Sequence, residues 1–595
     1  MSEYIQNLNP TQRDAAVNYQ GASLIIAGAG SGKTRVLTCR IAYMLSQGVQ
    51  AHTVLALTFT NKAAKEMRER IATLVPGGMS RSLWMGTFHS VFARILRAES
   101  DKLGYPSSFT IYDSADAKNL VKLAIKELNL SDETYKPNVV AARISKAKNN
   151  LVTPQAYETN SSLQAEDREQ RIPQFLDIYK LYARKCRENG AMDFDDLLLN
   201  TNILMRDFPE VLTKYQNQFR YILVDEYQDT NFAQYVIIRR LGELHGNVCV
   251  VGDDAQSIYS FRGAKIENIL RFQQDFPGAK LFKLEQNYRS TQTILSAANE
   301  VIVHNIGRKS KKLWTENGKG DKIHFRIYED AYKEAEGVVE NICACVRDGW
   351  NYNDIAILYR TNAQSRLLEE KLIVRNVPYR IYGGINFYQR KEIKDILAYL
   401  KTIDNGMDGQ AVKRIINVPR RGIGATTLER VQEFADANDM TFWDALCNAA
   451  EIPNIGRGLS KIESFVTLIL GFQAKKQFLS IRELTETILE DTRYMEALAE
   501  NETKEEVEAR QENIDEFMNK IISYEEQTEG DFSEMQTDRE NPQAAPTLSG
   551  FLEEVALIAD IDNLDQDGNQ VMLMTLHSAK GLEFPIVYMT GLEDG

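Results

Sequence analysis

Nothing in the 595-residue sequence is apolar for long enough to cross a bilayer; the longest runs are strand-length pieces such as Leu24-Ile25-Ile26-Ala27. A membrane helix needs roughly 20 such residues. The opening Met1-Ser2-Glu3-Tyr4 lacks the basic-then-apolar pattern of a secretory signal. Cysteine is scarce and scattered (Cys39, Cys186, Cys249, Cys343, Cys345 and Cys447). The lone Cys-x-Cys at 343–345 has no partner at metal-ligand spacing, which argues against a disulfide scaffold or a zinc site. A reduced, cytoplasmic protein without a membrane partner is expected. With 43% hydrophobic and 26% charged residues, a mostly disordered chain is excluded as well. The length suggests about four domains.

A net charge of -13 taken whole opposes a polyanionic partner, but the acid is concentrated. Between Ile481 and Gln570 there are 26 acidic and 6 basic residues, a net of -20, so the remainder is +7. Nucleic-acid binding stays open.

Short apolar runs alternate with helical patterns. Ser23–Ala27 and Thr53–Phe59 read as buried strands. Helices are expected over Thr34–Leu45 and from Asn61 to Leu74, the latter capped by Thr60. The strand pattern returns at Tyr221–Val224, Asn247–Val251, Ile355–Tyr359, Val571–Thr575 and Ile586–Met589. Buried runs alternating with helices predict an α/β fold with parallel sheets. Residues 106–190 and about 390–555 read as helical insertions, the second ending in a linker at Asn541–Gly550. The organisation is therefore two α/β cores, each with a mostly helical insertion.

Three segments carry chemistry. Ala27-Gly28-Ala29-Gly30-Ser31-Gly32-Lys33-Thr34 follows a strand and opens a helix, as a phosphate-binding loop must. Its glycines let backbone N–H groups close on an anion, with the helix N-terminus behind them. Lys33 would reach the β/γ-phosphates and Thr34 a Mg²⁺ ion; Ala27 stands where the strict pattern has glycine. Tyr221-Ile222-Leu223-Val224-Asp225-Glu226 is an apolar strand ending in two carboxylates, where open parallel sheets bind ligands. Asp225 suits metal binding and Glu226 suits activation of a water. Past the strand Val250–Val251, Gly252-Asp253-Asp254-Ala255-Gln256-Ser257-Ile258-Tyr259-Ser260-Phe261-Arg262 offers Gln256 to the γ-phosphate or the water. Tyr259 and Phe261 form either a base-stacking platform or a core pair.

Together these segments resemble the UvrD/PcrA/Rep-type superfamily 1 DNA helicases, from Leu8 to Gly595. Asn9-Pro10-Thr11-Gln12 is similar to the Q motif. Thr58-Phe59-Thr60-Asn61-Lys62-Ala63-Ala64 and Gly86-Thr87-Phe88-His89-Ser90 are similar to motifs Ia and Ib. Leu223–Thr230 is similar to motif II, Gly252–Gly263 to motif III, Gln286-Asn287-Tyr288-Arg289-Ser290 to motif IV and Thr575–Phe584 to motif V.

The resemblance implies two RecA-like cores, 1A (1–105 and 191–284) and 2A (285–385 and 556–595), with insertions 1B (106–190) and 2B (386–555). It implies an ATP- and Mg²⁺-dependent enzyme moving 3′→5′ on single-stranded DNA in repair or replication, as a monomer or DNA-induced dimer. ATP would meet Ala27, Gly28, Ala29, Gly30, Ser31, Gly32, Lys33 and Thr34, with Gln12 reading adenine, Tyr288 stacking on it and Arg35 alongside. Arg289 would be an arginine finger and Glu583 would approach the ribose; Thr34 and Asp225 would hold the metal. Phe59, Thr60, Asn61, His89, Tyr259, Phe261, Arg262, Thr575 and His577 would line the DNA track. Pro419-Arg420-Arg421-Gly422-Ile423-Gly424-Ala425-Thr426-Thr427 resembles the turn that grips duplex backbone through Gly422 and Gly424, its arginines adding charge; a plain helix–helix turn is the other reading.

The family pattern runs on into a motif VI that supplies a second arginine to ATP, and this sequence ends before it. The expectation is a fragment, or a protein completed from elsewhere, whose second core lacks a strand and helix. A transporter-type ATPase fails because Leu548-Ser549-Gly550 is followed by Phe551 rather than the rest of its signature. A helicase–nuclease motor and a non-catalytic DNA- and nucleotide-binding module remain as alternatives.

Overall fold

The computed structural model of the chain describes residues 3–75, 78–260, 263–305, 311–382, 387–499, 504–533, 546–557 and 568–593. The chain divides into two compact units. One comprises Met1–Phe88, Glu210–Asn386 and Ile558–Gly595; the other comprises His89–Pro209 and Phe387–Leu557.

Among the described residues the first unit carries two larger parallel sheets and one short parallel pairing of Gln286–Asn287 with Trp314–Thr315. In the larger, β1 (Ser23–Ala27), β2 (Val54–Thr58), β3 (Trp84–Thr87), β4 (Tyr221–Val224), β5 (Val248–Gly252) and β6 (Lys280–Leu284) lie in the order β3-β2-β4-β5-β1-β6. Every residue of β1, β2 and β5 is buried, because helices cover both faces and leave no solvent side to alternate toward. Helix α1 (Pro10–Val17) precedes β1, α2 (Lys33–Ser46) follows it, and α3 (Asn61–Leu74) follows β2. The Thr60 side chain accepts from Ala63 N at 3.1 Å, so the expected N-cap is in place.

Register positions the site. Ile26 pairs with Gly252, and Val224 with Val250. Strands β4, β5 and β1 are neighbours in that order, so their carboxyl ends line up, which is where such sheets bind ligands.

The smaller sheet runs β8-β9-β7-β10, from β7 (Ile355–Tyr359), β8 (Tyr379–Ile381), β9 (Val571–Thr575) and β10 (Ile586–Met589). Its core gathers Val339, Ile342, Ile357, Leu372 and Leu573. All strand pairs among the described residues are parallel, as an α/β fold requires.

The second unit is helical apart from one ladder pairing Thr110–Tyr112 with Ala191–Asp193. It joins the two segments read as insertions: Tyr112 Oη donates to Asp408 Oδ1 at 2.9 Å, and Lys401 meets Asp116 at 3.0 Å. The expected linker at Asn541–Gly550 is only partly in view. Residues 541–545 lie outside the described residues, and Leu548–Gly550 instead open the helix Leu548–Leu557, whose Leu548, Phe551 and Val555 are buried.

A buried cation organises this unit. Lys148, at the end of α4 (Pro137–Asn149), is 1% exposed and lies 2.6 Å from Asp193 and 2.8 Å from Asp196. Burial opposes its charge, and the two carboxylates outweigh that, so its pKa stands well above the usual lysine value. Removing the ammonium strands two buried carboxylates. Lys148→Met is expected to destabilise the unit by ~3–5 kcal/mol, seen in a urea titration as earlier loss of protease resistance in segment 89–209.

Candidate active site

The glycine-rich loop expected to bind phosphate is built by a strand that stops and a helix that starts six residues later. Ala27 is the last residue of β1 and fully buried; it sits in extended backbone, where a glycine is not needed. Gly30 (φ +65°) and Gly32 (φ +81°) occupy the left-handed region, where a side chain is strained. Ser31 is buried and its hydroxyl donates to Gly28 O at 2.7 Å, tightening the turn. Ala29 contributes its carbonyl to the amide of Asn287, at 2.7 Å. Thr34 is half-buried in the first turn of α2, and exposed Arg35 donates to Asn7 O at 3.1 Å.

Asp225 and Glu226 follow β4 at the same sheet edge. Asp225 is 3% exposed, with one carboxylate oxygen accepting from Glu226 N at 2.9 Å. Burial, and then the neighbouring Glu226, push its carboxyl up to about 7. Glu226 adopts φ +49°, an uncommon conformation for a residue with a side chain, and one that clusters at functional sites. That twist aims it at Lys33, whose Nζ lies 3.0 Å away. Burial would raise the Glu226 carboxyl, but Lys33 and Lys580 hold it below the usual range.

Two residues without an expected role complete this layer. Gln228, fully buried, donates to Glu226 at 2.5 Å and accepts from Asp253 N at 2.9 Å. Lys580 donates to Gln256 O at 2.7 Å and pairs with Asp229. Gln256 donates its Nε2 to Asp253 Oδ2 at 2.7 Å. A lysine from the turn after β9 thus reaches the motifs after β4 and β5. Its position inside Thr575–Phe584 was the available signal; Gln228 offered only its place two residues past Glu226.

Motif IV rests directly on the phosphate loop. Tyr288 N donates to Gly30 O at 2.8 Å, and a Cβ added at Gly30 would lie 2.7 Å from Arg289 Cβ. Half-exposed Tyr288 accepts at its hydroxyl from Asn9 Nδ2 at 2.9 Å, which ties motif IV to the Q motif. Gln12 is buried: its side chain accepts from Asn9 N at 3.1 Å and donates to Ser31 O at 2.9 Å. Arg289 is ion-paired with Glu583, and both are substantially exposed.

The residues expected on a DNA track are dispersed over both units. Tyr259 donates its hydroxyl to His577 O at 3.2 Å, and Lys580 lies 5.0 Å from its ring. Thr575, at the end of β9, holds Ser578 through its hydroxyl at 2.9 Å. His577 Nδ1 lies 3.1 Å from Arg360. Phe59 follows β2 and packs on Phe88, with ring centroids 5.6 Å apart; Thr60 and Asn61 begin α3 behind it. Phe261 and Arg262 lie outside the described residues. His89 belongs to the second unit, against Phe194 at 5.6 Å; burial pushes its imidazole down to about 4, so it is neutral at physiological pH.

The turn at Gly422–Gly424 is also in the second unit. Asn417 clamps it, donating to Ile423 O at 2.6 Å and accepting from Ile423 N at 3.0 Å, while Ile423 is buried. Both glycines face outward. Gly422 has φ +68°, and nothing lies within 4 Å of a Cβ added at Gly424. The expectation that both arginines add charge here needs correction. Arg421 turns inward, donating to Tyr399 Oη at 2.6 Å and Ile415 O at 2.8 Å. Lys461 supplies a cation instead, donating to Gly422 O at 2.7 Å.

The raised carboxyl of Asp225 has a thermodynamic consequence. A folded pKa above the unfolded one means folding is penalised once the group must ionise. The penalty is full above about pH 7 and gone near the ordinary carboxylate value. Asp225→Asn should therefore raise the melting temperature at pH 8, by about 2 °C or more, with no gain at pH 4. Equal stability at both pH values would contradict the assignment.

Comparison with known proteins bears on the whole chain. Residues 8–277 match the UvrD/REP helicase N-terminal domain, and residues 282–595 match the UvrD-like helicase C-terminal domain. The chain is similar to the ATP-dependent DNA helicase PcrA of Staphylococcus aureus, 46% identical over 595 residues, covering 100% of this chain and 78% of that protein. It is equally similar to PcrA of Staphylococcus epidermidis, 46% identical over 598 residues, covering 100% and 79%. Matches to both family domains running from end to end, on parallel sheets, mean that the chain belongs to the UvrD/Rep helicase family.

Proposed function

We propose that this UvrD/Rep-family protein is an ATP-dependent DNA helicase that moves 3′→5′ on single strands and unwinds duplex at junctions, in repair or replication. The observation that carries the reading is Lys580: it leaves the second sheet and bonds to Asp229 and Gln256 beside the phosphate loop of the first. Hydrolysis at such a junction changes the spacing of the two cores, and DNA lying across both is ratcheted. The four-part division into 1A, 1B, 2A and 2B belongs to the same proposal, as does action by a monomer or DNA-induced dimer.

The backbone of Gly28–Gly32, Lys33 and the N-terminus of α2 bind the phosphates. Tyr288 stacks on adenine, and Gln12 reads it by exchanging one of its two present bonds. Arg35 lies alongside. Arg289 reaches the γ-phosphate by leaving Glu583, which turns to the ribose. Glu226 takes a proton from the attacking water, its low pKa keeping it ionised for that role. Gln256 orients that water. Asp253 can only accept, so Gln256 faces it with Nε2 and presents Oε1 outward, an acceptor suited to a water proton.

Thr34 and Asp225 offer the hard oxygen donors that Mg²⁺ prefers, and the buried, strongly raised Asp225 carboxyl is a group that a cation would relieve. Bound Mg²⁺ supplies neutralisation of phosphate charge. Phe59, Thr60, Asn61, His89, Tyr259, Phe261, Arg262, Thr575 and His577 form the single-strand track. Gly422 and Gly424, with Lys461 beside them, meet duplex phosphates.

Three variants test this. Lys33→Ala should abolish turnover while single-strand affinity stays within about threefold, since the lysine serves phosphate rather than DNA. Glu226→Gln should retain ATP without hydrolysing it, followed by nucleotide retention alongside turnover. Gly424→Val enters open space without backbone strain, so it probes phosphate approach directly. Single-strand-stimulated hydrolysis should persist, while affinity for a duplex–single-strand junction falls about tenfold and loses salt dependence. Equal losses on both substrates would remove the turn from the duplex grip.

A further inference from the structure

We infer that Lys311 is a positioning residue for ATP hydrolysis, acting through Asp253 on the amide of Gln256; the inference rests on the role proposed for Gln256. Lys311 lies beyond the helix Gln292–Val303, in a run of basic residues where nothing in the sequence sets it apart. Its side chain is only 4% exposed, and Nζ lies 2.6 Å from Asp253 and also pairs with Asp254. Those carboxylates are themselves 3% and 0% exposed. Buried carboxylates side by side require a cation nearby.

The geometry makes the link directional. Asp253 presents Oδ1 to Lys311 and Oδ2 to Gln256 Nε2. One carboxylate therefore bridges the ammonium and the amide, and fixing its plane fixes which end of the amide faces outward. The backbone N–H of Asp253 goes to Gln228, which holds Glu226, so the same short chain of bonds reaches both groups proposed to handle the water.

The segment that carries Lys311 is anchored to the element that senses the phosphate loop. Lys312 N donates to Glu285 at 3.1 Å, and Trp314–Thr315 pairs in register with Gln286–Asn287. Asn287 bonds to Ala29 O, and a Cβ at Gly28 would run into Leu313. A shift of motif IV against the phosphate loop thus moves Lys311 as well, and Lys311 moves Asp253. This gives the second core a route to the water-orienting amide that is separate from Lys580.

The test is a double-mutant cycle in the full chain, reading DNA-stimulated ATP turnover, with melting temperature and single-strand affinity as controls. Lys311→Met should lower kcat about tenfold while KM for ATP changes less than about threefold. In a Gln256→Ala background the same change should cost less than about twofold, because the group it positions is gone. Lys311→Arg should recover most of kcat. If Lys311→Met fails to fold, Lys311→Gln keeps hydrogen bonding without the charge and goes through the same cycle with the same criteria. Undiminished kcat, or equal fold losses in both backgrounds, overturns the inference. A Gln256→Ala protein with full turnover instead indicts the role of Gln256, and the inference falls with it.

Discussion

Everything at the carboxyl edge of the larger sheet depends on how one buried lysine is held. Lys33 has its Nζ 3.0 Å from Glu226, and the charges of Asp225 and Asp253 also bear on it. Burial alone would lower its pKa; the surrounding carboxylates more than offset that and hold it above the usual lysine value. The strand register makes this possible, because β4 and β1 both flank β5, and Val224 at the end of β4 pairs with Val250, which brings the residues that follow it alongside the end of β5. A slip of one residue in β4 would reverse which of Asp225 and Glu226 faces the loop. The left-handed backbone of Glu226 is the local strain that this arrangement maintains.

Carboxylates outnumber the lysines that serve them. Asp225, Glu226, Asp229, Asp253 and Asp254 share Lys33, Lys311 and Lys580 among the described residues. The imbalance falls on Asp225, which no lysine touches directly and whose carboxyl is pushed furthest toward neutrality. Two of the three lysines lie beyond Leu284, on the second core's side of the sequence. The acidic edge of the larger sheet is therefore neutralised in part by residues distant in sequence, Lys311 and Lys580.

Much of this was legible in the sequence, and what was not shares one physical cause. β1, β2, β4 and β5 were visible because fully buried strands are continuous apolar runs. The phosphate loop and the acidic strand end were visible because phosphate chemistry needs fixed residue types at fixed spacing. Lys33 was visible with that loop, but the partners of Lys311 and Lys580 were not. A lysine in a basic run reads as solvated surface, and only tertiary structure shows that Lys311 is enclosed while Lys312 is exposed. Arg421 failed in the opposite direction: adjacent to Gly422 in sequence, its guanidinium is drawn inward by Tyr399 and backbone carbonyls. The joining of 89–209 with 387–557 rests on bonds such as Tyr112–Asp408 between distant segments, for which a single sequence has no local signal.

Four cations have protein carboxylates as partners: Lys33 with Glu226, Lys580 with Asp229, Lys311 with Asp253, Arg289 with Glu583. In the proposed nucleotide site a triphosphate would not bring its charge to bare cations; it would compete with the carboxylates already there. Exchange of one anionic partner for another leaves each cation about as well solvated as before, so the net free energy of binding is smaller than the gross attraction. What changes is geometry. Lys33 answers to the loop, Arg289 to the exposed Glu583, and each exchange moves a different element. Exposed pairs such as Arg289–Glu583 are worth little and yield easily, whereas the enclosed Lys311–Asp253 pair resists separation. The weak pair is therefore suited to switch with each nucleotide, and the strong pair to transmit the resulting movement.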